Sequence, residues 1–156
     1  MHFHFLFVDD TKNKAYKELE SDYLKRLKYY CPVSVHVVKG ERITKSSVED
    51  AVKEKESERL VAKIPNGALV VVLDERGKQF GSQGLAEKVQ QWQNRSVQHV
   101  AFVLGGPLGL SDRVRSEADL VLSLSKLTFV HEMARVVLIE QLYRAWTILR
   151  NEKYHK

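Results

Sequence analysis

The residues with the most chemistry to offer crowd into the last quarter of the chain. Ser123, Ser125 and Thr128 bring hydroxyls, His131 follows at once, Arg135 stands one helical turn further on, and Tyr154, His155 and Lys156 follow the long helix. An imidazole changes charge near neutrality and can accept or release a proton, while hydroxyls and backbone N–H groups in a short loop can hold a polar ligand. An aromatic ring beside a cation suits stacking on a base and contact with phosphate. Two plainer roles stand beside these. His131 can serve as a cap or as an internally satisfied histidine, and a terminal tripeptide can fray.

The element that positions these groups is an apolar helix from His131 to about Arg150. At about 100° per residue, His131, Glu132 and Arg135 share one arc, whereas Glu140, Gln141, Arg144 and Thr147 fall on a roughly opposite one. The polar face changes sides midway. A surface helix of a monomer keeps one stripe, so this pattern predicts burial on more than one side, with a second subunit as its supplier.

Upstream, strand and helix signals alternate. Strands are expected at 2–9, 33–38, 68–73, 99–104 and 120–124, from period-two alternation or short continuous apolar runs. Helices are expected from Thr11 to Tyr30, through Leu85 to Trp92, and from a Ser111 or Asp112 cap to Ala118. Another runs from a capping box at Ser46 and Glu49 to about Lys63, a solvated and charged helix. A charged loop with Gly77 and Gly81 follows Asp74. With no hairpin dipeptide, the class is α/β with a mostly parallel sheet in a single domain. Ligands of such sheets sit beyond the carboxyl ends of the strands. The unusual strand ends are Leu73-Asp74, Gly105 to Gly109 and Ser123 to Thr128, and neighbouring strands would merge them into one pocket. Gly105 and Gly106 either let backbone approach a ligand closely or make a turn with positive φ. No G-x-G-x-x-G follows a strand and no P-loop occurs, so neither a dinucleotide fold nor a nucleoside-triphosphate loop is supported.

The net charge of +5 is weak evidence for an anionic partner. No apolar run reaches the roughly 20 residues of a membrane span, and the first residues lack a basic n-region, so a cytoplasmic chain without a membrane partner is expected. Cys31 alone permits neither an internal disulfide nor a thiolate zinc site. His2 and His4, alternating along the first strand, make half a metal site, but no third ligand lies nearby, so no metal is expected.

The segment L-S-L-S-K-L-T-F-V-H-E-M-A-R-V-V-L-I-E-Q-L-Y-R-A, the terminal Y-H-K and the upstream F-V-L-G-G-P-L-G together resemble the RlmH family. These are bacterial large-subunit (23S) ribosomal RNA pseudouridine N3-methyltransferases of the SPOUT superfamily, and the likeness covers essentially the whole chain. It implies an α/β-knot, a parallel sheet flanked by helices with a deep C-terminal trefoil knot, which no rule of un-knotted chains would predict. It further implies a homodimer, S-adenosylmethionine as cofactor, and ribosomal RNA as partner, methylated on the assembled ribosome. The implied cofactor residues are Leu73, Gly105, Gly106 and the loop Leu124, Ser125, Lys126, Leu127, Thr128, Phe129 and Val130. The implied RNA-facing catalytic group is Tyr154, His155 and Lys156 close to the transferred methyl, with Arg135 and His131 nearby. Two departures from the family pattern stand out. Val130 replaces the usual proline before the histidine, and Asp9-Asp10-Thr11-Lys12 replaces a V-G-x-K turn after the first strand. Alternatives are a SPOUT enzyme acting on transfer RNA, or a catalytically silent RNA-binding or ribosome-assembly module.

Overall fold

Phe3, Phe5 and Phe7 point to one side of the first strand and His4, Leu6 and Val8 to the other, and all six are buried. A strand covered on both faces must lie inside a sheet with helices above and below. The structure, a computed structural model, describes residues 1–45 and 47–155, and for His155 only the backbone. Strand β1 (His2–Val8) leads through helix α1 (Lys14–Leu27) to β2 (Val33–Val38), and α2 (Glu49–Val61) precedes β3 (Leu69–Gln79). Helix α3 (Ser82–Asn94), β4 (His99–Leu104), α4 (Asp112–Ser116) and β5 (Leu120–Ser123) follow, then α5 (His131–Leu149) and a 3-10 turn at Lys153–His155. The five strands form one sheet in the order β2-β1-β4-β3-β5, every pairing parallel.

Each face of the sheet has its own core. Phe3, Phe5, Phe7 and Phe102 pack with Trp92 of α3, Leu27 of α1 and Leu138, Ile139 and Leu142 of α5. On the opposite face, Leu6, Val8, Val38 and Val103 pack with Leu60 of α2 and Val114 of α4. Asn13 caps α1, its side-chain oxygen accepting from the Ala15 and Tyr16 N–H groups at 3.0 and 3.3 Å. Among the described residues no helix is long and apolar enough to cross a membrane.

Three expectations change. The charged stretch after Asp74 is strand: β3 continues to Gln79. Leu73 and Lys78 both pair with Leu122, so Asp74 to Gly77 bulge out of the ladder. Gly77 is glycine because a Cβ there would stand 2.7 Å from the Val121 backbone. The extension was hidden because it pairs only with β5, and a half-covered edge does not need an apolar run. The expected capping box also changes, since the N-cap of α2 is Val48 with no side-chain cap bond, and Ser46 lies outside the described residues. The helix is less solvated than its charges suggest, burying Val52, Glu56, Ser57 and Leu60. Finally, no residue of α5 is fully exposed, and α1, α3 and the terminal turn supply that cover from the same chain. That cover is partial, since Met133, Val137, Tyr143, Ile148 and Leu149 stay half-buried.

Candidate active site

Because β4, β3 and β5 are parallel neighbours, their carboxyl ends emerge side by side. The segments Leu73 to Arg76, Leu104 to Gly109 and Leu124 to Phe129 surround a cavity of about 660 Å³. His131 and Ala134, from the first turn of α5, complete one wall, and Asp112 and Arg115 of α4 another. The volume is ordinary for a small-molecule site. Of the residues singled out by resemblance, Leu73, Gly105, Gly106, Leu124, Ser125, Leu127, Thr128, Phe129 and His131 line this cavity. Lys126 and Val130 belong to the same loop but do not line it, and both are exposed.

The glycine turn is shaped by its own chain. A Cβ on Gly105 would meet the Gly109 backbone at 2.5 Å, and one on Gly106 would meet the buried Glu56 carboxylate at 2.8 Å. The positive φ of the turn falls on Gly109, at 84°, whose N–H donates to the Gly106 carbonyl at 2.9 Å. The hydroxyls of the β5–α5 loop likewise fold it. Ser123 Oγ donates to the Ser125 carbonyl, Ser125 Oγ accepts from the Leu127 N–H, both at 2.9 Å, and Thr128 Oγ1 reaches Glu75 at 3.1 Å. Leu127 and Val130 stand 73% and 62% exposed and make an apolar rim. Val130 holds φ −60° and ψ 141°, the polyproline conformation, so the bend expected of proline is reached by valine.

Asp74 anchors the acidic side of the cavity. Its carboxylate accepts from Arg76 Nε at 3.0 Å and Nη2 at 3.1 Å, and from Arg115 Nη1 at 3.2 Å. Burial pushes this carboxyl up, but the hydrogen bonds and charges of the two arginines outweigh it and hold it below the ordinary carboxylate range. Sequence gave no sign of the pair, because the bulge in β3 and the passage of α4 over the cavity bring Arg76 and Arg115 to one carboxylate. His131 is held below its ordinary value by burial first and by the Arg135 charge second, so it stands neutral at pH 7 with a nitrogen able to accept.

Arg135 is placed elsewhere than expected. Only 1% exposed, it donates to the Asp9 carbonyl at 2.9 Å and to Thr11 Oγ1 at 3.1 Å. Its other terminal nitrogen bonds the Val8 carbonyl, and its guanidinium lies 4.6 Å from the Phe7 ring. It clamps the β1–α1 turn and offers no face to an external ligand. That turn carries Asp9 at φ 56°, the left-handed conformation that favours glycine, and Asp tolerates it better than most residues. Asp9 Oδ1 accepts from the Gly40 N–H at 2.8 Å, so this acid is already engaged.

Tyr154 is also away from the cavity. Its hydroxyl donates to Glu140 at 3.0 Å and lies 3.2 Å from the Tyr23 hydroxyl, and its ring packs edge-on against Tyr143 with Arg144 over its face. Its bonding partner Glu140 stands nine residues along α5 from His131, about 14 Å at 1.5 Å per residue, and on the opposite arc of the helix. Lys156 and the His155 side chain lie outside the described residues. A second correction concerns His2 and His4, for which a third partner was lacking. Strand pairing supplies His99 from β4 and His36 from β2, residues 95 and 32 positions from His4 in sequence.

Comparison with known proteins agrees with this layout. A family model described as "Predicted SPOUT methyltransferase" matches residues 1–155. The protein named ribosomal RNA large subunit methyltransferase H from Desulfotalea psychrophila is 44% identical over 151 residues, covering 97% of each chain. Its namesake from Flavobacterium johnsoniae is 39% identical over 155 residues, covering 99% of each. Among solved structures, a probable methylase family protein from Haemophilus influenzae superposes with a TM-score of 0.57 at 16% identity, covering 99% of this chain and 70% of that one. The parallel sheet, the cavity at its carboxyl ends and the full-length match agree: the chain belongs to the SPOUT methyltransferase family.

Proposed function

We propose that this chain transfers a methyl group from S-adenosylmethionine to N3 of a pseudouridine in large-subunit ribosomal RNA, as a cytoplasmic homodimer of single-domain knotted subunits. The observation that carries the reading is the cavity at the ends of β3, β4 and β5, walled by the same loops whose sequences resemble the family motifs. Near full-length likeness to relatives named for ribosomal RNA methylation supplies the substrate class.

The donor set suits the cofactor. Leu73, Leu104, Leu122, Leu124 and Phe129 would offer apolar walls to an adenine ring, while Glu75 and the Asp74 carboxylate with its two arginines would offer polar partners to the cofactor's charged groups. Bound, the cofactor supplies an electrophilic methyl group. The chain's own task is to align the uracil nitrogen and remove its proton. His131, neutral and at the cavity wall, can take that proton, and His155 is the other candidate. Lys156 would offset the negative charge that develops on the ring as N3 loses its proton.

The separation between His131 and Tyr154 favours a site shared by two chains. A tail whose Tyr154 is held at mid-helix, on the arc of α5 opposite His131, reaches the cavity of a partner more readily than its own, and the exposed Leu127, Phe129 and Val130 give that partner an apolar surface to cover.

The test incubates the protein and methyl-labelled S-adenosylmethionine with ribosomes, free large-subunit RNA and transfer RNA, then maps the label. Label on one pseudouridine of the large-subunit RNA is expected. Label confined to transfer RNA, or none anywhere, would overturn the reading.

A further inference from the structure

The face of the sheet that holds Leu6 and Val8 ends, at its amino-terminal edge, in a group of histidines from three adjacent strands. His2 and His4 alternate along β1, His99 stands in register with His2 on β4, and His36 comes from β2. His4 is buried and central. Its Nε2 lies 3.0 Å from His99 Nδ1, and its Nδ1 lies 3.4 Å from His36 Nε2. The His2 ring stacks on it with centroids 4.0 Å apart, and Ser34 Oγ holds His2 Nε2 at 2.9 Å. One ring nitrogen from each of His2, His4 and His99 lies within 4.8 Å of the other two.

Bonds of 2.0–2.1 Å from zinc to imidazole put the ligand nitrogens of a tetrahedral ion about 3.3 Å apart. The His4–His99 separation is already near that value, and a His2 nitrogen lies within 4.8 Å of both. The second nitrogen of His4 faces His36, the outer partner that fixes the tautomer and orientation of a ligating imidazole. Among the described residues no carboxylate or thiolate joins the group, which selects against magnesium and calcium and for borderline ions of the zinc, cobalt and nickel kind.

We propose that His2, His4 and His99 bind one divalent transition-metal ion of this class, with His36 orienting His4 and solvent completing the coordination. The ion replaces the hydrogen bond between His4 and His99, whose proton moves to the other nitrogen of the same ring, so no net proton leaves. The site ties β1 to β4 at the end of the sheet opposite the candidate active site, and its role is to staple the strands.

The full-length chain without an affinity tag, stripped of metal by chelation, is titrated with zinc chloride by calorimetry and with cobalt chloride by visible absorption. One zinc per chain, an intense four-coordinate cobalt band and a zinc-dependent rise in melting temperature are expected. His99→Gln should weaken zinc binding at least roughly tenfold and remove the thermal gain, while His131→Gln leaves both unchanged. Imidazole nitrogen NMR of the unmutated chain gives the same answer without a variant: the resonances of His2, His4 and His99 shift with zinc. No binding, an unchanged affinity in a folded His99→Gln, or shifts confined to His131 and His155 would each overturn the proposal.

Discussion

Arg135 illustrates how position along a helix and position in space part company. Its arc on α5 pairs it with His131, which suggested a shared outward role, yet its side chain turns under the β1–α1 turn and bonds Val8, Asp9 and Thr11. Arg135→Leu would leave two carbonyls without their donor in a buried place, and a loss of about 2–3 kcal/mol in urea unfolding is expected. His131 acts at the cavity itself. Because burial and Arg135 lower its value, the acid limb of methyl transfer should lie below pH 6.5, the neutral imidazole persisting above it. A pH–rate profile checks this: His131→Asn erases the limb if His131 takes the proton, and an unchanged limb assigns the step to His155.

At the scale of elements, the strands with clean alternation or apolar runs were legible. The Phe3, Phe5, Phe7 series, Val33–Val38 and His99–Leu104 all form as their patterns require. What escaped was set by pairing. The end of β3 is charged because its sole neighbour there is β5, and the start of α2 needs no side-chain cap. The loop before α5 offers a direct test of local conformation. Since Val130 already has φ −60°, Val130→Pro should stabilise the protein by roughly 0.4–1 kcal/mol through a less flexible unfolded chain, read as a higher melting temperature with cofactor affinity kept.

For the whole molecule, the cavity was legible from strand ends alone, because parallel neighbours must deliver their loops to one place. The position of the tail was not, since no local pattern states which face of α5 a terminal segment will fold back against. Tyr154 folds back to bond Glu140, at the middle of α5 and on the arc opposite His131, and Tyr23 of α1. A site assembled from two chains makes a quantitative demand. A chain with a disabled cavity, Gly106→Arg, mixed with one lacking residues 154–156, should regain roughly a quarter of normal methyl transfer, since half the dimers are mixed and each holds one intact site. Activity that stays absent on mixing would place cavity and tail in the same chain.

The bulge in β3 has a consequence for synthesis. Until residues 120–123 emerge and pair, one side of this eleven-residue strand is an open edge, bordered by an apolar run from Leu69 to Leu73. An open strand of that kind invites pairing with other chains. Asp74, Glu75, Arg76 and Lys78 stand directly after that run, where charge discourages such pairing. Asp74, Glu75 and Arg76, which later wall the cavity, therefore also guard the unfinished sheet.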